Sequence, residues 1–232
     1  MIWFQPSYLK EGPGIEKDAP PKTGLALFFE ILVREFWQIL KLNLLFVLCA
    51  LPVVTFGAAR AALSRCTMNM VRDVPNDVWY DFRQELKKDF ARNTMLGLLE
   101  LAGIGLLAVL LMQPSVRTSA VLCGGVLVVA AFIALVLGYL WPMLVTVDVP
   151  LRAAVKNAVV LALAFPQHSL PAFGVVLLLL GLSFWLFPLS LPLVLFVPFG
   201  MGSFVTSFAA WTEIRRLIVR NDIAENGGKT DD

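Results

Sequence analysis

The sequence predicts an all-α integral membrane protein: a helical bundle of about five transmembrane helices with interfacial or cytoplasmic amphipathic helices. Of its 232 residues, 58% are hydrophobic and 16% are charged, whereas about a quarter of the residues of a soluble domain are charged. The apolar residues also form long blocks, since residues 119–139 and 169–212 contain no charge. A helix needs roughly 20 apolar residues to cross a bilayer, so these blocks predict membrane spans.

The N-terminal part of the chain is predicted to remain outside the membrane core. Residues 1–22 are rich in proline, glycine and charge, which predicts an irregular segment. They do not have the cationic start, apolar core and small-residue cleavage site of a secretory signal. Residues 23–41 have apolar side chains at helical spacing, with Glu30, Arg34 and Lys41 between them. This pattern predicts an amphipathic helix at the membrane interface.

The membrane spans are expected within one transmembrane domain, residues 23–213. The first span contains Pro52, which should kink it. The fifth begins at Pro188, Pro192 and Pro198, which should loosen its first half because each proline removes a backbone donor. The spans lie at about 42–59, 93–112, 119–141, 168–187 and 189–213.

Two further amphipathic helices are predicted between the spans. In the first, residues 77–92, either Asn76 or Asp77 can cap the N-terminus, and an apolar face lies opposite a charged one. The second covers residues 151–163. The charged tail, residues 214–232, ends in a sequence typical of disorder.

Lysine and arginine counts orient the predicted spans. The polar stretches 60–92 and 146–167 and the C-terminal tail contain thirteen basic residues, against six on the other side. Because basic residues stay on the cytoplasmic side, both stretches and the C-terminus are expected in the cytoplasm, with the chain multi-pass in a bacterial plasma membrane. Five spans place the N-terminus outside, whereas a re-entrant hairpin over residues 23–59 would place it inside.

Glu100 is the ionisable residue that lies well inside a predicted span. A carboxylate at this depth is costly unless it faces protein or water. Glu100 is therefore a candidate buried functional acid, such as an ion or proton site. The alternative is a structural carboxyl group near the headgroups or bonded to a neighbouring helix, and no second charged residue is expected at its depth.

One face of the predicted helix 77–92 is a candidate partner-docking face, because it is too apolar to remain in water. Burial beneath the chain's own spans would also cover it, and so would contact with the membrane surface. Its residues are Trp79, Phe82, Leu86 and Phe90.

Small residues also recur at helical spacing in the third and fifth predicted spans, which predicts close packing of helices within the chain or, alternatively, an oligomer interface. These rows are Ala130, Ala134 and Gly138 in the third span, and Gly202, Thr206 and Ala210 in the fifth.

No catalytic, cofactor-binding or metal site is expected, and the chain is predicted not to be an enzyme. Cys49, Cys66 and Cys123 do not have the spacing of metal ligands. The single histidine, His168, has no Cys, Asp or Glu near it in sequence. The sequence contains neither a nucleophile elbow nor a phosphate-binding glycine loop. A net charge of +2, without a basic stripe, argues against nucleic acid as a partner.

Three segments point to a family: FFEILVREFWQILKLNLLF, LPVVTFGAA and TMNMVRDVPNDVWYDFRQELKKDF. They resemble the YesL-like bacterial membrane proteins, domain-of-unknown-function family 624, over roughly residues 20–95. The resemblance implies a membrane protein without assigned catalytic residues. It also implies a link with carbohydrate uptake, because genes of many members lie beside genes for carbohydrate uptake and degradation.

The segment RAAVKNAVVLALAFPQHSLP shows a weaker similarity to the cytoplasmic coupling loop of importer-type ABC permeases. Arg152 and Ala158 depart from that loop, since they replace its glutamate and glycine. The coupling-loop-like positions that fit are Ala153, Ala154, Leu170 and Pro171.

The expected function is that of a non-enzymatic accessory factor or subunit of a membrane complex linked to carbohydrate (ABC-type) uptake. Its partners would be the lipid bilayer and ABC importer subunits or another membrane or cytoplasmic protein. The alternative is a stand-alone small-solute carrier or channel, which needs polar groups at mid-membrane depth. Apart from Glu100, the spans offer only scattered groups: Asn43, Thr55, Thr206 and Ser207.

Overall fold

The computed structural model describes residues 23–147, 149–185 and 197–227, and every regular element in these ranges is helical. The expected all-α fold is confirmed for these residues. The helices are α1 (Leu25–Ala50), α2 (Phe56–Val71), α3 (Val78–Lys87), α4 (Phe90–Met112), α5 (Pro114–Thr118), α6 (Ala120–Thr146), α7 (Leu151–Ala164), α8 (Pro166–Trp185) and α9 (Pro198–Gly227).

Helices α1 and α2 form an antiparallel hairpin that interrupts the first predicted span. At the closed end, the rings of Phe46 and Phe56 lie 6.1 Å apart. At the open end, Arg34 Nη2 donates to Asp73 Oδ1 at 2.7 Å. The prediction of one span over 42–59 is therefore wrong. Pro52 has an extended backbone and is followed by a 3₁₀ turn, so the chain reverses there and the helix is not merely kinked.

Helix α2 lies at the centre of the fold and contacts α1, α3, α4, α6 and α9. Thirteen of its 16 residues are buried, so the prediction of a polar stretch that faces water from residue 60 onward is wrong for α2. The reason lies in the size of its side chains. Alanine, glycine and serine fill much of α2, and small side chains let neighbouring helices approach closely.

Helices α4 and α6 correspond to the second and third predicted spans. They have 23 and 27 residues, and both are long and apolar enough to cross a membrane. Only 6% of the apolar window of α4 and 0% of that of α6 is buried within the chain. Core helices of a soluble protein would bury these side chains, so the exposed apolar surfaces indicate membrane association.

The two predicted amphipathic helices agree with the structure to different degrees. Helix α7 matches the predicted helix 151–163 to within one residue. Helix α3 is capped by Asp77, whose Oδ1 accepts from the backbone N–H groups of Trp79 and Tyr80 at 3.1 and 3.2 Å. It ends at Lys87, earlier than the predicted residue 92, because Asp89 has a left-handed φ of 47° and breaks the helix.

The fourth and fifth predicted spans correspond in part to α8 and α9. Residues 186–187 of the fourth span and 189–196 of the fifth, with Pro192, lie outside the described residues, as does Pro188. Helix α9 continues to Gly227, so the charged tail predicted for residues 214–232 is helical as far as that residue. Ile214 explains why the helix does not stop at 213, because it is buried against α6 and α7.

Candidate functional site

Glu100 faces the interior of the bundle, where helices α2, α4 and α6 meet. Its Oε1 lies 3.7 Å from Arg60 Nε, and its Oε2 accepts a 2.8 Å hydrogen bond from Trp141 Nε1. The carboxyl-bearing side chain is only 7% exposed. The expectation that no other charged residue shares its depth is wrong, because α2 turns back into the bundle and brings Arg60 opposite it.

A second polar cluster joins α2 to α9. Thr67 Oγ1 lies 3.0 Å from Ser203 Oγ and 2.9 Å from Ser207 Oγ, and all three hydroxyl groups are buried. Thr67 Oγ1 also donates to a carbonyl oxygen of its own helix, that of Leu63, at 3.1 Å. Sequence reasoning noticed Ser207 but missed Thr67, which lies in the stretch predicted as a loop.

Asn43 holds the start of α9 against α1. Its Oδ1 accepts a 2.7 Å hydrogen bond from the backbone N–H of Gly200, in the first turn of α9. This N–H has no partner within its own helix, because the first turn has no preceding carbonyl groups. Asn43 is fully buried, so this scattered polar group satisfies a helix end.

Two glycines allow α2 and α4 to touch through their backbones. A Cβ atom built on Gly57 would lie 1.9 Å from the carbonyl oxygen of Asn93. One built on Gly97 would lie 2.2 Å from Gly57 Cα. Neither position has room for a side chain, so the approach of Arg60 to Glu100, one turn further along, depends on both glycines.

The two predicted rows of small residues partly face each other within the chain. Ala134 and Gly138 of α6 and Thr206 and Ala210 of α9 line one small space of about 20 Å³. Gly202 points instead toward α8, where a Cβ would lie 3.4 Å from a methyl group of Val176. Part of each row therefore lies at a contact between α6 and α9 within the chain.

The predicted docking face of α3 is divided by the structure. Phe82 is 3% exposed and packs into the core with α2, and Leu86 is half-buried against the same cluster. Trp79 is 66% exposed. Phe90 is exposed too, but it begins α4. The prediction of one four-residue docking face is therefore wrong, because the inner half of α3 covers the chain's own core.

Glu85 lies on the same inner side of α3 and is buried. This burial raises the pKa of its carboxyl group, while Lys88 and Arg65 act in the opposite direction. The outward surface of α3 is marked by Trp79 and Tyr80, which is 63% exposed.

The coupling-loop-like residues are distributed over two helices. Ala153 and Ala154 lie in the first turn of α7, where Ala154 is fully buried against α6 and α9. Leu170 and Pro171 are exposed residues of α8. The structure thus gives Ala154 a packing role and leaves the other three at least partly accessible.

Among the residues that the structure describes, no group of three or more His, Cys, Asp or Glu side chains could hold a metal ion. Cys66 is buried, whereas Cys49 and Cys123 are half-buried. His168 belongs to α8, but its side chain lies outside the described part of the chain.

Comparison with known proteins gives one family. Residues 39–111 match the model of a family described as "Protein of unknown function, DUF624". No curated protein and no solved structure matches the chain. The matched segment extends from the second half of α1 to the end of α4, and it includes Asn43, Gly57, Arg60, Thr67 and Glu100. The resemblance found in the sequence is therefore confirmed by a match to this family over residues 39–111.

Proposed function

We propose that this protein is a multi-pass plasma-membrane protein that acts as a non-enzymatic accessory factor or subunit of a complex linked to carbohydrate (ABC-type) uptake. The observation that carries the proposal is the pairing of polar groups inside the bundle. Glu100 contacts both Arg60 and Trp141, and Thr67 binds the hydroxyl groups of two α9 serines. Polar side chains that are paired with one another inside the bundle stabilise it. The function of the protein would then depend on contacts at its surface.

The proposed topology differs from five simple spans. Helices α4, α6, α8 and α9 would cross the membrane, and the α1–α2 hairpin would enter and leave on the cytoplasmic side. Arg60 and Arg65 make α2 unsuitable for contact with lipid, but its burial in protein removes that cost. An even number of crossings places both chain ends in the cytoplasm, which agrees with the excess of basic residues there.

The surfaces proposed for partner docking are the exposed sides of α3 and α7, both of which lie on the cytoplasmic side in the proposed topology. Trp79 and Tyr80 are aromatic residues with a polar handle, the type enriched at the centres of interfaces. On α7, Val160 and Leu163 are exposed, at 50% and 65%. The link with carbohydrate uptake rests on the family resemblance alone.

The partner proposal is tested by gentle detergent extraction from the native membrane and identification of co-purifying chains. The double variant Trp79→Ala/Tyr80→Ala should lose these chains at least tenfold while the yield of the monomer stays near normal, because truncation of a central aromatic residue typically costs about 2 kcal/mol or more of binding energy. Phe82→Ala is the matched control for core damage, and it should lower the yield itself. Retention of the same chains by the double variant would exclude this surface.

A second candidate is a small-solute carrier or channel, which the Arg60–Glu100 pair favours because charged groups within a bundle often mark an ion or solute path. A carrier would show solute or ion flux in vesicles that contain only this protein. Flux that Glu100→Gln abolishes without loss of folded protein would favour the carrier over the accessory subunit.

A further inference from the structure

A large open groove lies between α1, α8, α9 and the segment that follows α2. Its volume is about 1760 Å³, and its walls are mainly apolar, with Phe28, Ala172, Val205 and Phe208 among them. Small-molecule sites usually have volumes of roughly 300–1,000 Å³. An occupant that excludes water from this groove must therefore be large and apolar.

The charged lining of the groove is more basic than acidic. Arg34 and Arg216 already have carboxylate partners, since Arg34 binds Asp73 at 2.7 Å and Arg216 binds Glu213 at 3.0 Å. The charged residues that line the groove are Arg34, Arg72, Arg215 and Arg216 against Glu30 and Asp73.

Arg72 and Arg215 add positive charge at the boundary between the apolar walls and the polar rim. The guanidinium group of Arg72 lies 5.1 Å from the ring centroid of Trp211, which also lines the groove. Tryptophan is enriched at the level at which lipid headgroups meet acyl chains, and the attraction between its ring and a guanidinium group holds Arg72 beside it. Arg215 is exposed at the same groove.

We propose that this groove binds a diacyl phospholipid whose headgroup has a net negative charge. The acyl chains lie along the apolar wall that contains Phe28 and Phe208, and the phosphate lies near Arg72 and Arg215. A zwitterionic lipid would gain little from the basic rim, and a free phosphate would leave the apolar walls uncovered. The proposal requires that the protein be inserted in a membrane, but it does not depend on partner docking at α3.

The test uses the full chain in a nonionic detergent, incubated with mixed micelles of equal phosphatidylglycerol and phosphatidylcholine. Lipid retained through size-exclusion chromatography is measured by mass spectrometry. The wild-type protein should retain phosphatidylglycerol in preference. The preference should fall about fivefold for each arginine replaced in Arg72→Gln and Arg215→Gln, and about 25-fold in the double variant, because a basic residue near anionic lipid contributes roughly that factor.

Two sets of variants make the result specific. Arg83→Gln and Arg152→Gln remove exposed arginines outside the groove and should leave the preference unchanged. The double variant Arg72→Lys/Arg215→Lys keeps the positive charge and should preserve the preference for phosphatidylglycerol. It also provides a test if the glutamine variants do not fold. Equal retention of the two lipids by the wild-type protein, no retained lipid at all, or full displacement by inorganic phosphate would overturn the proposal.

Discussion

Replacing Gly57 by alanine should destabilise the protein by about 2 kcal/mol, although alanine is the better helix former. The gain in helix propensity is about 1 kcal/mol, whereas overpacking in a tight interior costs about 1–3 kcal/mol and occasionally more. Here the added Cβ would lie 1.9 Å from a backbone oxygen, that of Asn93. Because backbone atoms cannot rotate away, the cost should be at the upper end and the two helices should separate.

The matched control is Gly103→Ala in α4, where a Cβ would meet no atom within 4 Å. Thermal unfolding in detergent, followed by tryptophan fluorescence, should show a lower midpoint for Gly57→Ala, by about 4–8 °C. For Gly103→Ala the midpoint should be unchanged or slightly higher. Equal midpoints for the two variants would mean that α2 and α4 do not meet at Gly57.

Replacing Glu100 by lysine should sharply reduce the yield of folded protein. The change places a second cation beside Arg60 and removes the acceptor of the Trp141 indole. Breaking a buried ion pair by removal of one partner typically costs about 3–5 kcal/mol. Glu100→Gln should be milder, because it adds no second cation and its amide oxygen can still accept from Trp141, but it leaves Arg60 without its carboxylate.

The double variant Arg60→Gln/Glu100→Gln shows whether Arg60 and Glu100 act as an ion pair or contribute to stability independently. Loss of both charges leaves neither one buried without its partner, so the double variant should be more stable than the sum of the single variants predicts. Stability would be measured by thermal unfolding of each purified variant. Additive effects, or equal yields for Glu100→Gln and Glu100→Lys, would place Glu100 near the membrane interface and outside any pair.

The parts of the fold that the sequence predicts well are those determined by composition over a long window. Helices α4 and α6 follow from long, predominantly apolar runs, and α7 from the spacing of its apolar residues. The cap of α3 at Asp77 follows from local hydrogen bonds, in which the Asp77 side chain accepts from the backbone N–H groups of Trp79 and Tyr80. In each case a few neighbouring residues are sufficient to determine the element.

A re-entrant hairpin over residues 23–59 was an alternative, but its second arm, which extends to Val71, could not be predicted because the cause of its burial is tertiary. Residues 60–71 read as polar because they contain Arg60, Arg65 and Asn69. Their burial becomes favourable only when Glu100 and the Val145 carbonyl oxygen supply partners for the two arginines. A hydropathy window that covers residues 42–59 also averages across the turn at Pro52, and so it joins the ends of two helices into one apparent span.

The contacts of the α3 surface and of Glu100 also depend on tertiary structure, so the sequence could not predict them. Trp79 and Phe82 are three residues apart, so helical spacing places them on one side of α3. Which of them enters the core depends on the position of α2, and the structure buries Phe82 while it leaves Trp79 exposed. Glu100 was identified because an acid within an apolar run is unusual, but its partner Arg60 lies 40 residues earlier and could not be assigned to it.

The central claim is that α4 and α6 cross the membrane while the α1–α2 hairpin returns to the side from which it entered. Single cysteines at Thr23, Arg117 and Arg152, in a chain without native cysteine, test it with a membrane-impermeant thiol reagent on intact cells. We expect that Arg117→Cys is labelled, that Thr23→Cys and Arg152→Cys are protected, and that all three react after permeabilisation. Protection at Arg117 would contradict the crossing of α4 and α6, and labelling at Thr23 with protection at Arg152 would contradict the hairpin.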